Sequence, residues 1–214
     1  MAGNGGFRLS IYALKPRFQT LLRPLTSVLA RSGVSANQVT VVAAIVSLCL
    51  GVFVGFEAPA RWPYALIPAW LMLRMALNAI DGMLAREFSQ KSDLGAYLNE
   101  LGDVASDSAL YLPFAWLPPF ASVWVAVVVV LAVLTELAGA LGPAVGASRR
   151  YDGPMGKADR AVVFGALGLW AGLELPLPEW LAWLMPALAA ALVLTIINRV
   201  RAGLAEVRGD PRHE

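Results

Sequence analysis

The residues of this sequence that could do chemistry are concentrated in the stretch Asn78–Asp103, NAIDGMLAREFSQKSDLGAYLNELGD, inside an otherwise apolar chain. One set lies at helical spacing around the start of this stretch: Arg74, Asn78, Asp81 and Ala85. Another set recurs every four residues from its second half to one turn beyond its end: Gly95, Asn99, Asp103 and Asp107. Residues three or four apart lie on one face of a helix. The sequence therefore predicts two polar helix faces in immediate succession.

The connection Glu87–Asp93 predicts that these two helices form an antiparallel pair with their polar faces opposed. Gly82, Ala85 and Gly95 are small and would keep a cleft open between the helices. Carboxylates crowded in such a cleft repel one another, and a hard divalent cation such as Mg²⁺ (or Mn²⁺) bound by their oxygens offsets that repulsion. A metal-bound phosphate leaving group, with a carboxylate to receive the nucleophile's proton, is a chemistry that suits this cleft.

A purely structural alternative is a hydrogen-bond network that joins the two helices. Asn78 taken alone is typical of that role. Two opposed faces, matched small residues and Arg86 occur within one 26-residue window. Ionisable residues in membrane segments are functional candidates by default, so the whole set favours a functional cleft.

The composition predicts an integral membrane protein. Of the 214 residues, 58% are hydrophobic and 15% are charged, whereas a typical soluble domain has about 25% charged residues. The mean hydropathy is +0.63. The length suits one domain, so residues 1–214 are expected to form a single membrane bundle, with no nucleic-acid partner.

Six segments are apolar enough to be predicted as membrane-spanning helices of about 20 residues. They are Val39–Phe56, Tyr64–Asp81, Leu94–Leu117, Ala121–Val145, Ala161–Leu173 and Trp180–Ile197. Apolar residues between Phe7 and Leu29 recur irregularly among basic ones, which predicts a helix in the membrane interface, with a solvated tail as the alternative. The expected fold class is an all-α membrane protein with six transmembrane helices and an N-terminal interfacial amphipathic helix.

The basic residues are distributed asymmetrically about these six spans. With a cytoplasmic N-terminus, the cytoplasmic segments carry Lys15, Arg17, Arg23, Arg31, Arg86, Lys91, Arg149, Arg150, Lys157, Arg160, Arg199, Arg201 and Arg208. The opposite loops carry Arg61 and otherwise only glutamates. This positive-inside distribution supports the span count and predicts that both termini are cytoplasmic.

Four of these cations lie between the fourth and fifth spans, on the same side as the carboxylates: Arg149, Arg150, Lys157 and Arg160. They are predicted to bind phosphate on a donor or an acceptor. Lys157 and Arg160 are favoured, because the N-terminal amides of a helix also attract anions. The alternative is plain positive-inside topology with contacts to membrane lipid headgroups. Glu136, inside the fourth span, is expected to hydrogen-bond to another helix.

At these residues the sequence resembles the CDP-alcohol phosphatidyltransferase family. That family's pattern is Asp, two residues, Asp-Gly, two residues, Ala-Arg, about eight residues, Gly, three residues, Asp, three residues, Asp. The matching residues are Asp81-Gly82, Ala85-Arg86, Gly95 and Asp103. The stretches SANQVT (Ser35–Thr40) and GPMGKADR (Gly153–Arg160) resemble the family's polar entries into its first and fifth spans.

The resemblance implies transfer of a phosphatidyl or related phosphoryl group from a CDP-linked lipid, usually CDP-diacylglycerol, to an alcohol, with release of CMP. It implies that Asp81 binds a divalent metal and that Asp103 binds metal or acts as the general base. It places four residues at the nucleotide: Gly82, Ala85, Arg86 and Gly95. It also implies a homodimer.

The sequence departs from the family pattern at the first and third aspartates, which are Asn78 and Asn99 here. It resembles more closely a branch of bacterial inner-membrane members with the same asparagines, which implies an inner-membrane location. An asparagine oxygen still ligates Mg²⁺, but Asp81 and Asp103 alone carry the charge that balances one divalent ion. We therefore expect one firmly bound metal in the free protein and a second only with the donor's pyrophosphate. Asp107, one turn further on, could restore part of the lost charge.

Two other functions stay open from the sequence. The asparagines could weaken or abolish turnover, which would leave a protein that binds a CDP-linked lipid without transferring it. A transporter would be expected to show repeat symmetry and broken helices near the midplane, and neither is clear here. If the protein is an enzyme, the four cations favour a phosphorylated alcohol as acceptor over an uncharged one.

Overall fold

The computed structural model describes residues 11–209, and the side chains of residues 18–209. Within this part every regular element is a helix. The α-helices are α1 (Ile11–Arg31), α2 (Ala36–Phe56), α3 (Leu66–Glu87), α4 (Asp93–Tyr111), α5 (Ser122–Ala140), α6 (Lys157–Gly172) and α7 (Leu184–Arg208). Short 3-10 helices at Trp62–Ala65, Leu112–Trp116, Pro143–Val145 and Glu179–Trp183 lie next to α3, α4, α5 and α7.

Each of the six predicted spans coincides with one of the helices α2 to α7. Four helical segments are long and apolar enough to cross a membrane: Ala36–Phe56, Trp62–Glu87, Ser122–Ala140 and Glu179–Arg208. Helix α4 carries four acidic residues, and α6 has 16 residues, about 24 Å of helix against a hydrocarbon core of about 30 Å. The all-helical membrane fold is confirmed, whereas the count of six spans stays a prediction.

Helix α1 covers most of the segment predicted to lie in the interface; residues 7–10 of that segment lie outside the described residues. Leu22 and Leu29 pack against a cluster that includes Met83 and Leu84 of α3. On another face Leu21 is 76% exposed, and Leu25 and Val28 are also exposed. A helix with one packed face and one exposed apolar face has the form of an interfacial helix, and that placement stays a prediction.

The main core begins one helical turn beyond Asp107 and extends to the end of the bundle away from the polar stretch. Tyr111, which ends α4, stacks on Phe164 of α6 with ring centroids 3.9 Å apart, and Phe114 packs edge-on against Phe164. The Tyr64 hydroxyl donates to the carbonyl oxygen of Pro113 at 2.7 Å. Because Asp81 lies 17 residues after Tyr64, this hydrogen bond is about 25 Å from that carboxylate along the direction of α3.

Helix α2 packs along α4, and this contact depends on Gly51. A Cβ atom at residue 51 would overlap the backbone of Ala109. We expect Gly51→Ala to force α2 and α4 apart and to lower the free energy of unfolding by about 1–3 kcal/mol, as overpacked cores do. Thermal unfolding in detergent measures this loss.

Gly55→Ala on the same helix is the matched control. A Cβ atom there would lie 3.8 Å from the Trp116 ring, an ordinary contact. We expect its melting temperature to stay at or above that of the wild type, since alanine favours the helix over glycine. Equal melting temperatures for the two variants would show that the α2–α4 contact is not tight at Gly51.

Candidate active site

The start of α2 is fixed against the loop between α3 and α4. Ser35 caps α2, and its backbone N–H donates to the Gln38 side chain at 2.9 Å. The Gln90 side chain, from the loop, accepts from the Ala36 N–H at 2.7 Å. One turn further along α2, the Thr40 hydroxyl donates to Oδ2 of Asp81 at 2.7 Å. The polar entry into the first span therefore serves to hold Asp81, which is 6% exposed.

Asp103 is the point at which three helices meet. Its Oδ1 accepts from Nη2 of Arg74 on α3 at 2.9 Å, and Nδ2 of Asn78 lies 3.5 Å from the same oxygen. Its Oδ2 forms an ion pair with Lys157, the first residue of α6. The predicted opposition of the polar faces of α3 and α4 is thus present as contacts between their side chains.

Asp107 lies one turn beyond Asp103 and is buried among arginines. Its Oδ1 accepts from Nη1 of Arg74 at 2.5 Å, and its Oδ2 lies 3.4 Å from Nη2 of Arg160. Both oxygens of Asp107 therefore have cationic partners within the bundle. Its assignment as a metal ligand stays a prediction, and this geometry favours a structural role for the carboxylate.

The ion pairs that join Asp103, Arg74, Asp107 and Arg160 continue from Arg160 to residues of α5 and α7. The Arg160 guanidinium donates to Glu136 at 2.9 Å and to the Thr135 hydroxyl at 3.1 Å. Glu136 also pairs with Arg199 of α7 at 3.6 Å. Glu136 does hydrogen-bond to another helix, as its position inside an apolar span predicted. Buried charges of this kind are tolerated when each is paired and hydrogen-bonded.

The small residues of the motif lie where helices or long side chains come close. A Cβ atom at Gly95 would lie 2.7 Å from Oδ1 of Asn37, so Gly95 permits the approach of α2. A Cβ atom at Gly82 would lie 2.9 Å from the exposed guanidinium of Arg86. Ala85 and Asn99 are half-buried. The assignments of Gly82, Ala85, Arg86 and Gly95 to the nucleotide and of Asn99 to metal stay predictions.

The four basic residues before and in α6 are placed differently from one another. Arg149 forms two hydrogen bonds with Glu100, one of them 3.0 Å long. Arg150 donates to Asp152 at 2.9 Å, which lowers the pKa of that carboxyl, and to Glu206 at 2.5 Å.

Of the four, Lys157 is the one that reaches a motif carboxylate, since Arg160 is 2% exposed and paired inside the bundle. The assignments of Lys157, Arg150 and Arg160 to phosphate stay predictions, and the structure gives Arg150 and Arg160 other partners.

Two side chains at the site had no role from the sequence alone. Arg74 was placed on the polar face by its spacing, and the structure shows that it bridges Asp103 and Asp107 while only 4% exposed. The sequence feature that could have indicated this role is the presence of an arginine inside an apolar span. Thr40 lies within the motif-like stretch SANQVT, but its bond to Asp81 depends on how α2 packs on α3 and is not encoded in local spacing.

The donor set at this site fits one divalent ion. Asp81 lies close enough to Asp103 and Lys157 to interact electrostatically with both, and the oxygens of Asn78 and Asn99 are of the type that Mg²⁺ and Mn²⁺ accept. Two carboxylates match the charge of one such ion. Within the described part of the chain, no three acidic, histidine or cysteine side chains are grouped for metal binding.

Comparison with known proteins decides the family. Residues 33–199 match the CDP-alcohol phosphatidyltransferase family. The chain belongs to that family. It is therefore an integral membrane transferase of the phospholipid-synthesis class, as the motif residues predicted.

Two relatives of this family member match it over most of their length. The inner membrane protein YnbA of Escherichia coli (strain K12) is 44% identical over 199 residues, which cover 92% of this chain and 97% of that protein. The phosphatidylinositol phosphate synthase of Mycolicibacterium smegmatis (strain ATCC 700084 / mc(2)155) is 27% identical over 190 residues, which cover 85% of this chain and 83% of that protein.

Solved structures share the fold of this transferase. The crystal structure of Mycobacterium tuberculosis phosphatidylinositol phosphate synthase with CDP-DAG bound aligns with a TM-score of 0.66 at 22% identity and covers 88% of this chain and 94% of that one. The same enzyme in complex with manganese and citrate aligns with a TM-score of 0.67 at 22% identity, covering 88% and 89%. Both show that the helical bundle described above is the fold of that enzyme.

Proposed function

We propose that the protein transfers a phosphatidyl group from a CDP-linked lipid, such as CDP-diacylglycerol, to an alcohol and releases CMP. The observation that carries this proposal is the ion pair of Asp103 on α4 with Lys157 on α6, within electrostatic range of Asp81 on α3, at residues that match the family's motifs. In the step, the acceptor oxygen bonds to the phosphorus that bears the lipid alcohol, and the bond from that phosphorus to the CMP oxygen breaks. The hydroxyl proton passes to Asp103.

In this proposal the ion pair between Lys157 and Asp103 breaks when the donor binds. The Lys157 side chain is 33% exposed, whereas that of Arg74 is 4% exposed. Lys157 is therefore free to turn toward the donor's phosphates while Arg74 stays in place. Its departure leaves Oδ2 of Asp103 able to accept the proton of the acceptor hydroxyl.

Asp81 is the main metal ligand in this proposal, and the oxygens of Asn78 and Asn99 complete the set. Asp103, whose Oδ1 stays on Arg74, and Asp107, one turn further on, contribute negative charge near the ion. A bound Mg²⁺ or Mn²⁺ would offset negative charge on the donor's diphosphate and on the departing CMP. Thr40 holds the Asp81 carboxylate by its 2.7 Å hydrogen bond. The exposed Arg86, beside Gly82, is placed to contact the nucleotide.

The acceptor that we favour is a phosphorylated alcohol. Lys157 lies at the N-terminus of α6, where helix amides attract anions. Arg149 and Arg150 lie a few residues earlier, on the loop that leads to α6, although each is paired with carboxylates. An anionic acceptor would compete for these pairs, whereas an uncharged polyol would not.

The membrane arrangement that we propose has six spans, α2 to α7, with both termini cytoplasmic and α1 in the interface. The concentration of Lys and Arg in the segments next to the cleft supports this orientation. The relative named as an inner membrane protein supports a bacterial inner-membrane location. A homodimer is proposed from the family resemblance.

The experiment that tests the function is CMP release by the purified protein in detergent. CDP-diacylglycerol, Mg²⁺ or Mn²⁺, and a panel of alcohols and phosphorylated alcohols are supplied. We expect metal-dependent CMP release with one class of acceptor. Asp81→Ala should reduce it by about 10²-fold or more, because charge stabilisation by a bound metal contributes several kcal/mol.

The same assay addresses the alternative of a non-catalytic binder. That alternative draws support from the asparagines at positions 78 and 99 and from the two cations on Asp103. Tight binding of CDP-diacylglycerol without CMP release for any acceptor in the panel would favour it over the transferase.

A further inference from the structure

The cations at Asp103 belong to the chain itself. Arg74 Nη2 donates to Oδ1 at 2.9 Å, and Lys157 pairs with Oδ2. Asn78 places its amide nitrogen 3.5 Å from Oδ1. A carboxylate of the motif that could hold a metal ion is thus surrounded by one guanidinium, one ammonium and one neutral donor.

Arg74 is fixed in this position. Its other terminal nitrogen donates to Asp107 at 2.5 Å, and Asp107 is held in turn by Arg160. The side chain is 4% exposed, and a guanidinium stays charged at any accessible pH. If Arg74 turned away, Asp107 would lose its shortest contact inside the bundle. The positive charge beside Asp103 is therefore permanent.

Asn78 is matched to this arrangement. An aspartate at position 78 would place a second carboxylate beside Oδ1 of Asp103, with the repulsion of like charges, whereas asparagine donates to that oxygen. Asn78 and Arg74 lie one helical turn apart on α3, so both act on the same carboxylate. Asn99, on α4, removes another negative charge from the same face. The chain thus lacks two carboxylates and carries two cations at one end of the cleft.

We propose that Arg74 and Lys157 replace a second divalent cation, so that the cleft takes one divalent ion, at the Asp81 end, even with the donor bound. This inference rests on the proposed function and deepens it. It differs from the expectation drawn from the sequence, in which a second ion joins with the donor's pyrophosphate. Arg74 remains on Asp103 when Lys157 turns to the donor, and both side chains then supply positive charge next to the diphosphate.

The test is a count of Mn²⁺ in the detergent-purified protein, with saturating CDP-diacylglycerol and without acceptor. Electron paramagnetic resonance separates an isolated Mn²⁺ ion from a spin-coupled pair, and elemental analysis gives the ratio per protomer. We expect one Mn²⁺ per protomer with the spectrum of an isolated ion. A spin-coupled pair in the wild type, or no bound ion, overturns the proposal. This measurement needs no variant.

A charge-changed variant tests whether the named side chains set this number. We expect the triple variant Asn78→Asp, Asn99→Asp, Lys157→Met to bind two Mn²⁺ per protomer. The matched control carries Asn78→Asp and Asn99→Asp with Lys157→Arg, so it keeps a cation at position 157. We expect this control to bind fewer Mn²⁺ ions per protomer than the variant with Lys157→Met. Gel filtration verifies that both are folded. Equal counts in the two variants overturn the assignment of Lys157.

The Mn²⁺ count does not depend on turnover. A failure of the charge replacement can therefore be distinguished from a failure of the proposed transferase function. One isolated Mn²⁺ without CMP release would support the charge replacement and contradict the transferase. CMP release with a spin-coupled Mn²⁺ pair would support the transferase and overturn the replacement.

Discussion

Replacing Asp103 with asparagine is expected to slow CMP release by about 10²–10⁴-fold, the range that a positioned general base contributes. The substitution keeps the size of the side chain and one oxygen, but it removes the group that accepts the hydroxyl proton. Initial rates of CMP release at saturating metal and donor measure the effect. Binding of CDP-diacylglycerol should change much less, because Arg74 and Lys157 remain at the site.

Asp93→Asn is the matched control for this prediction. Asp93 is an exposed carboxylate in the first turn of the same helix, ten residues before Asp103. It should keep its rate of CMP release, which separates the loss of one negative charge on α4 from the loss of the proton acceptor. If Asp103→Asn retained more than half of the wild-type rate, the base would have to be another group.

The helices could be predicted because they depend on local sequence. Long apolar runs bounded by proline and glycine placed α2 to α7, and the predicted connection Glu87–Asp93 is bounded by the observed ends of α3 and α4. The main difference is α7, which was predicted to end at Ile197 and continues to Arg208. Hydropathy falls where Arg199 and Arg201 begin, but arginine, leucine, alanine and glutamate are good helix formers, so the helix extends past the apolar run.

The partners of the charged residues could not be predicted, because they depend on packing between distant helices. Spacing placed Asp103 and Asp107 on one face, yet it gave no indication that Lys157 reaches the first and Arg160 the second. Arg160 lies 53 positions after Asp107 in the chain, and the whole of α5 lies between them. Helical period fixes which residues share a face, whereas the choice of partner depends on how α4, α5, α6 and α7 come together.

Asn78 and Asn99 also show which features can be predicted from the sequence and which depend on packing between helices. The sequence showed asparagine at positions 78 and 99, where the family pattern has aspartate. The loss of two negative charges predicted a reduced affinity for a second divalent ion. Only the structure shows that Asn78 faces Asp103 with its amide nitrogen and that Arg74 and Lys157 occupy the same carboxylate. The removal of negative charge and the presence of the cations are parts of one arrangement.

Arg160→Met is expected to lower the free energy of unfolding by about 3–5 kcal/mol, the usual cost of removing one partner from a buried ion pair. Arg160 contacts both Asp107 and Glu136, and its side chain is 2% exposed. Methionine fills much of the same volume, so the loss comes mainly from the buried carboxylates of Asp107 and Glu136, each of which loses Arg160 and keeps another arginine, Arg74 or Arg199. Thermal unfolding in detergent measures it.

This prediction also separates the two roles assigned to Arg160. A phosphate-binding arginine would, when replaced, raise the KM for the donor or acceptor and leave the melting temperature nearly unchanged. A structural arginine would lower the melting temperature, and Glu136→Gln in the same chain would recover part of the loss, since it removes one of the two carboxylates that Arg160 no longer neutralises. Arg150→Met, which breaks pairs near the surface, should leave the melting temperature close to that of the wild type. Because both oxygens of Asp107 and one of Glu136 face arginines inside the bundle, we expect the structural outcome for Arg160.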